Sequence, residues 1–127
     1  MIVLDTSILI DTLTGTRRSA AALRQNIERG ERMLIPAIVL YEWLRGPRRR
    51  EELAAQEALF PNAASVPFGS QEAGRASALC KAVRRPRGRE IDLAIAAHAI
   101  VRDAELWTLN TVDFRDIPGL RLLVAPA

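Results

Sequence analysis

Short apolar runs alternate along the chain with longer stretches of mixed polarity, a rhythm that predicts strands alternating with helices. Ile2-Val3-Leu4 is a β-prone run ending at Asp5, after which Ser7 or Thr6 caps a helix through Ile8 to Leu13. Past Gly15, the segment Arg17 to Arg29 sets Ala20, Ala21, Leu23 and Ile27 among charges at helical spacing, and Gly30 stops it. Met33-Leu34-Ile35 reads as a second strand. Pro36 suits the first turn of a helix from Ala37 to Arg45, which Gly46-Pro47 ends.

The second half continues the pattern. Arg48 to Leu59 is expected to be helical, with Leu53, Gln56, Glu57 and Phe60 near one face, until Pro61-Asn62 breaks it. Ser65-Val66-Pro67-Phe68 is a candidate short strand that Pro67 pushes toward a sheet edge. Gln71 to Val83 is an alanine-rich helix, and Arg84-Arg85-Pro86-Arg87-Gly88-Arg89 is a basic loop. Glu90 to Asp103 is apolar on nearly every side apart from Asp92 and His98, which predicts a helix buried in the middle of the fold. Leu106-Trp107-Thr108-Leu109 is expected as a strand, Thr111 to Phe114 as a turn of helix, and Leu122-Leu123-Val124 as the last strand. Such alternation implies an α/β fold: a single three-layer domain over residues 1–127, with a central parallel sheet of four to five short strands flanked by helices.

Composition sharpens this. With 127 residues, 49% hydrophobic and 26% charged, the chain suits one domain with a real core. A lone Cys80 forms no intrachain disulfide, and Cys80 with His98 supplies too few soft ligands for a zinc site. Lys81 follows no glycine loop, so a Walker-type phosphate cradle is absent, and neither G-x-S-x-G nor H-E-x-x-H occurs. The most apolar stretch, Met33 to Tyr41, is far shorter than the roughly 18 residues that span a bilayer. Met1 to Leu13 carries Asp5 and Asp11 with no basic start, unlike a signal peptide. The expectation is a cytoplasmic protein in a reducing compartment with no membrane partner. Lys81 is the only lysine among 18 basic residues, so the +3 charge is carried by guanidinium forks suited to phosphate, and a pI near 10.0 permits a nucleic-acid partner.

Ligands of open parallel sheets collect beyond the carboxyl ends of strands, near a switch in strand order. Asp5 directly follows the first predicted strand. Asn110 follows the predicted Leu106 to Leu109 strand, with Asp113 one helical turn further on. Glu42 lies in the helix after the second strand, among apolar neighbours, and Asp92 in the first turn of the apolar helix. Burying four carboxylates together is costly through repulsion and desolvation, and a cation would offset that cost. Without a His or Cys cluster, the fitting cation is a hard divalent ion held by oxygen: Mg²⁺, with Mn²⁺ as a substitute. Such ions activate water for in-line attack on a phosphodiester.

These same residues carry a family resemblance. Met1-Ile2-Val3-Leu4-Asp5-Thr6-Ser7, the region ending in Tyr41-Glu42, the segment Ile91-Asp92-Leu93-Ala94-Ile95-Ala96-Ala97-His98-Ala99, and Thr108-Leu109-Asn110-Thr111-Val112-Asp113-Phe114 resemble the four acidic motifs of PIN domains of the VapC toxin group. The likeness runs in order over essentially the whole chain. It implies a Mg²⁺-dependent endoribonuclease, the toxin half of a toxin-antitoxin pair, as a homodimer silenced by a partner reaching into the site. By motif position Asp5, Glu42, Asp92 and Asp113 take the acidic, metal-binding roles. Asn110 stands where some relatives place another acid, which leaves Asp113 and Asn110 as alternatives for completing the site. Thr6, Ser7 and Thr108 are the expected supporting hydroxyls.

Each residue also has a plainer reading. Asp5 alone would be a helix N-cap. Glu42 alone would pair with Arg45 or Arg49, and Asp113 alone would be a turn residue near Arg115. His98, six positions from Asp92, reads as a packed histidine outside the site. Arg45, Arg48, Arg49 and Arg50 are balanced between a solvated, ion-paired face and phosphate contact. Arg84, Arg85, Arg87 and Arg89 lead straight to Asp92 and are the expected RNA phosphate contacts. Tyr41 and Trp43 read as core or interface, and the surface near Leu40, Trp43 and Leu44 as a groove for a partner helix. The competing function is a non-catalytic RNA- or partner-binding module of the same fold. A phosphoacceptor receiver domain ranks below both, because Lys81 precedes the arginine loop instead of following a late strand.

Overall fold

The computed structural model describes residues 1–123. Four short strands, β1 (Ile2–Leu4), β2 (Met33–Leu34), β3 (Glu105–Trp107) and β4 (Arg121–Leu122), form one sheet of order β2-β1-β3-β4. Every pairing is parallel. The helices are α1 (Thr6–Leu13), α2 (Ala20–Glu28), α3 (Ala37–Arg45), α4 (Arg50–Leu59), α5 (Ser70–Ala82), α6 (Glu90–Val101) and α7 (Thr111–Phe114). The result is the three-layer α/β arrangement expected from the hydrophobic rhythm.

β1 is the centre of the sheet. Ile2, Val3 and Leu4 are all buried, as a strand flanked on both sides and covered on both faces requires. The chain leaves β1 toward β2 on one side, then crosses back to β3 on the other, so the switch in strand order lies between β1 and β3. α6 packs on β1 and β3 and, most extensively, on α5. Its residues Leu93 to Ala99 are buried without interruption, the all-round burial its sequence predicts. The Glu72–Arg102 ion pair, 2.9 Å long and largely buried, ties α5 to the end of α6.

The structure shifts several expected boundaries. α1 starts at Thr6, with Asp5 at the N-cap position, so Thr6 and Ser7 are helical residues and not caps. Arg17 has a positive φ of 54°, and the chain turns there before α2 begins at Ala20. Ser65 to Phe68 forms no strand: Val66 makes a single parallel bridge with Pro36, and Pro67, which has no N–H, ends the ladder. The expected strand Leu106 to Leu109 lies earlier, at Glu105–Trp107, because it pairs with Ile2–Leu4 and the hydroxyl of Thr108 turns to Asp5. The last strand is Arg121–Leu122; Leu123 lies just past it, and Val124 falls outside the described residues.

α4 buries a different face from the one expected. Glu52 and Gln56, one turn apart, point inward, whereas Leu53 is 37% exposed. The polar pair is satisfied locally: Glu52 accepts the Arg49 N–H at 2.7 Å, and Gln56 donates to the Phe60 carbonyl at 2.8 Å and to Asn62 Oδ1 at 2.7 Å. Helix ends and loops thus claim positions that apolar periodicity alone assigns to leucine. Replacing Ile95, fully buried in α6, by alanine is expected to cost about 2 to 5 kcal/mol, and Leu53→Ala less than about 0.5 kcal/mol. Urea unfolding of the two variants reads the difference; similar losses would mean that Leu53 belongs to the core.

Candidate active site

The parallel register sets the site. Leu4 pairs with Trp107, so the next residues, Asp5 and Thr108, emerge side by side beyond the strand ends. The Asp5 N–H donates to the Trp107 carbonyl at 3.0 Å, continuing the ladder one step. Thr108 Oγ1 then donates to Asp5 Oδ2 at 2.7 Å and Ser7 Oγ donates to the same oxygen at 2.9 Å. Both hydroxyls are themselves held: Ser7 Oγ accepts the Leu109 N–H and Thr108 Oγ1 the Asn110 N–H, each at 3.0 Å. Asp5 is 4% exposed, yet its carboxylate makes no N-cap bond to α1. The plain capping reading of Asp5 does not describe what the side chain does.

Glu42 reaches the same region from α3. Thr6 Oγ1 donates to its Oε1 at 2.6 Å, and the Arg45 guanidinium lies 3.5 Å from its Oε2. The plain reading of Glu42 as a partner of Arg45 is therefore present, but on one oxygen only. Asp92 projects from the first turn of α6, half-buried. Its carboxyl is pushed from an ordinary value of 3.8 up to about 6, first by burial and then by the negative charges of Asp5, Asp113 and Glu42. Arg89 opposes that rise. Asp92 thus feels all three other acids named from the sequence.

Asp113 sits on α7, exposed, with Asn110 at the N-cap position of the same short helix. Asn110 joins the site through its backbone N–H on Thr108. Among the described residues, no three carboxylate, imidazole or thiolate side chains close on one point as a finished coordination shell. The donor chemistry nevertheless suits a hard cation: oxygen ligands only, and one carboxyl whose ionisation the others oppose.

The arginines divide by partner. Arg84 and Arg85 are exposed and, with Arg89, Val112, Asp113 and Asp116, line a surface concavity of about 530 Å³. Arg87 is exposed in the same loop. Arg89 is different from the free phosphate contact expected: it makes a two-pronged pair with Asp116, at 2.9 and 2.6 Å, and donates to the Asp113 carbonyl at 2.8 Å. In the other cluster, Arg49 lies 3.6 Å from Glu52, in keeping with the ion-paired reading, whereas Arg48 stacks on Trp43 at 4.2 Å and donates to its carbonyl at 2.9 Å. Trp43 is fully buried and lines no surface, whereas Leu44 is exposed and Tyr41 is 56% exposed under Arg45. His98 is packed outside the site, as expected, beside Arg102 and Phe68, and burial and then Arg102 hold its imidazole below its ordinary range. Asp116 and its link to Arg89 went unnoticed in the sequence; the spacing of Asp116 three residues after Asp113 was the available signal.

A parallel sheet switching between β1 and β3, with Asp5 at the switch and acids on α3, α6 and α7 around it, defines a PIN domain. The chain belongs to the PIN domain family, whose profile matches residues 2–120. It is 35% identical over 126 residues to Ribonuclease VapC19 of Mycobacterium tuberculosis, covering 95% of this chain and 98% of that protein. Among solved structures it is similar to DNA-bound VapBC from Salmonella typhimurium, with a TM-score of 0.78, 26% identity and 96% of each chain covered. A toxin-antitoxin complex from Klebsiella pneumoniae matches with a TM-score of 0.71 and 27% identity over 94% of this chain and 95% of that one.

The raised Asp92 carboxyl has a consequence for stability. Between about pH 4 and 6 the folded protein holds a proton on Asp92 that the unfolded chain has released, so stability falls as pH rises through that window. At pH 7 with chelator, Asp92→Asn is expected to stabilise the fold by on the order of 1 kcal/mol after allowance for solvent screening, roughly 3 to 5 °C in Tm. The gain should vanish below pH 4. A Tm unchanged at pH 7 would mean that the acids do not repel as described.

Proposed function

We propose that this protein is an endoribonuclease that hydrolyses RNA phosphodiesters with a divalent cation, Mg²⁺ or in its place Mn²⁺, as the toxin half of a toxin-antitoxin pair. The observation that carries this reading is the gathering of Asp5, Glu42, Asp92 and Asp113 at the switch of a parallel sheet, where burial and then the other three acids raise the Asp92 carboxyl. The ribonuclease name of the relative and the toxin-antitoxin assemblies among the structural neighbours support it.

Asp5, Glu42, Asp92 and Asp113 are the residues that would hold the ion, with Asn110 as the alternative to Asp113. When bound, such an ion supplies a water nucleophile at neutral pH and offsets charge that builds on the phosphate. The chain's own residues do the rest. Ser7 and Thr108 anchor one oxygen of Asp5, Oδ2, which fixes the orientation of the carboxylate. Thr6 does the same for Glu42. Arg84 and Arg85, beside Asp113 in the concavity, and the nearby Arg87 would take the RNA backbone, so recognition rests on phosphate and shape more than on base stacking.

The partner reading moves to a new surface. An apolar groove of about 520 Å³, lined by Leu13, Leu23, Ile27, Ala55 and Leu59 between α1, α2 and α4, also includes Arg17, Arg24 and Glu28, a net positive charge. Its occupant would be an amphipathic antitoxin helix with acidic flanks. The homodimer rests on the resemblance, with exposed Tyr41 and Leu44 on α3 as available contact area. Light scattering at micromolar concentration is expected to give twice the 14.0 kDa chain mass; a persistent monomer would remove the dimer from the proposal.

Incubation with structured RNA transcripts is expected to give cleavage that needs Mg²⁺ and stops with chelator. Asp5→Asn should lower the rate at least about a hundredfold. Cleavage unaffected by chelator would overturn the metal-dependent mechanism, and full activity of Asp5→Asn would remove Asp5 from it.

A further inference from the structure

We propose that Arg89 and Asp116 form a positioning clamp that holds Asp92 and Asp113 in place for a shared cation, and that Arg89 is not a substrate contact. This rests on the reading of the acids as a divalent-cation site.

Arg89 occupies the N-cap position of α6, three residues before Asp92, and its own carbonyl accepts the Leu93 N–H at 2.9 Å. Its backbone is thus part of the turn that aims Asp92. Its side chain spans to the other late acid. The guanidinium grips both oxygens of Asp116, at 2.9 and 2.6 Å, and a third N–H bond reaches the Asp113 carbonyl at 2.8 Å. Three of the five donors of the fork are therefore taken, in the bidentate geometry that most restricts a carboxylate. Only 21% of the side chain is exposed. An RNA phosphate could make a two-pronged contact with both terminal nitrogens only by displacing Asp116.

The acid that gains most from this arrangement is Asp113. Its helix is four residues long, below the length at which a helix holds its own shape in water. Its ends are tied by the Asn110 N–H bond to Thr108 and by buried Phe114 and Ile117, and the Arg89 bond holds the carbonyl of Asp113 itself. Without that bond, the turn that carries Asp113 loses its direct tie to α6, and Asp113 gains freedom relative to Asp92. Arg89 also places its positive charge beside Asp92 and Asp113, so the clamp limits the repulsion between the acids it aligns.

Asp116→Asn separates the two roles, because one moves cation binding and the other RNA binding. If Arg89 positions the acids, loosening its partner lowers Mn²⁺ affinity, read by titration calorimetry, roughly tenfold. Arg89→Ala and Arg89→Lys should lose about as much, since lysine keeps the charge but not the fork. The Arg89→Ala, Asp116→Asn double variant should be no worse than either single change. Binding of a fluorescein-labelled oligouridylate in chelator should keep its affinity and its salt dependence in all of them. If Arg89 instead contacts phosphate, Asp116→Asn frees it and RNA affinity rises, while Arg89→Ala flattens the salt slope by about 0.7; either result overturns the clamp. Unchanged Mn²⁺ affinity in Asp116→Asn, with wild type binding the ion, overturns the clamp alone. Failure of the wild type to bind Mn²⁺ overturns the cation site and the clamp with it. Asp116 is half-exposed, so its variant carries the test even if Arg89→Ala does not fold.

Discussion

The parallel pairing of β1 with β3 is the constraint on which the site depends. Three residues of β1 align with three of β3, and the residue after each pair must emerge at the same edge of the sheet. Asp5 and Thr108 are therefore neighbours although 103 positions separate them. A slip of one residue would turn the Thr108 hydroxyl to the opposite face and leave a buried carboxylate with one of its two hydroxyl donors. The burial of Ile2, Val3 and Leu4 on one side and of Leu106 and Trp107 on the other specifies the register. Core packing and site geometry are in that sense the same interaction.

Around this point the fold manages like charge by giving each acid a different support. Asp5 is held by Ser7 and Thr108, and Glu42 by Thr6 and, more loosely, by Arg45. Among the described residues Asp92 has no such donor, and its carboxyl is displaced upward, first by burial and then by the other acids. Hydroxyls orient a carboxylate without neutralising it, so the negative field that favours a cation survives. Had lysine or arginine paired with each acid, the cluster would be stable and chemically inert. Repulsion retained at Asp92 and relieved on binding is a way to couple cation affinity to fold stability.

How much of this could be read from the chain differs between elements. α6 was legible because a helix apolar all round has one solution, burial, and a carboxylate within it stands out. Asp5 was legible because it directly follows a strand of three large apolar residues. α4 was misread because Glu52 and Gln56 satisfy the polar groups of the neighbouring turns, and periodicity carries no record of which carbonyls lie nearby. The segment Ser65 to Phe68 is extended as expected, but a strand is defined by its neighbour, and only Val66 finds one. Among the arginines, residue type indicated phosphate affinity in general. It could not indicate that Asp116 stands opposite Arg89, since that contact exists only after α7 folds back on α6.

The net charge of +3 says little, because the charges that matter are sorted by whether they already have partners. Arg48, Arg49 and Arg102 are absorbed by stacking or by carboxylates, and Arg89 is absorbed by Asp116. Arg84 and Arg85 line the concavity that borders Asp113, and it is there that a polyanion gains by replacing solvent counterions. Asp113 and Asp116 line the same concavity, so a polyanion there also meets negative charge. On the proposed function, an RNA would be drawn by its flanking phosphates and resisted at the phosphate nearest the carboxylates, unless a cation stood between them. Attraction and cleavage would then be coupled through the ion, because the same charge that offsets the carboxylates would admit the phosphate.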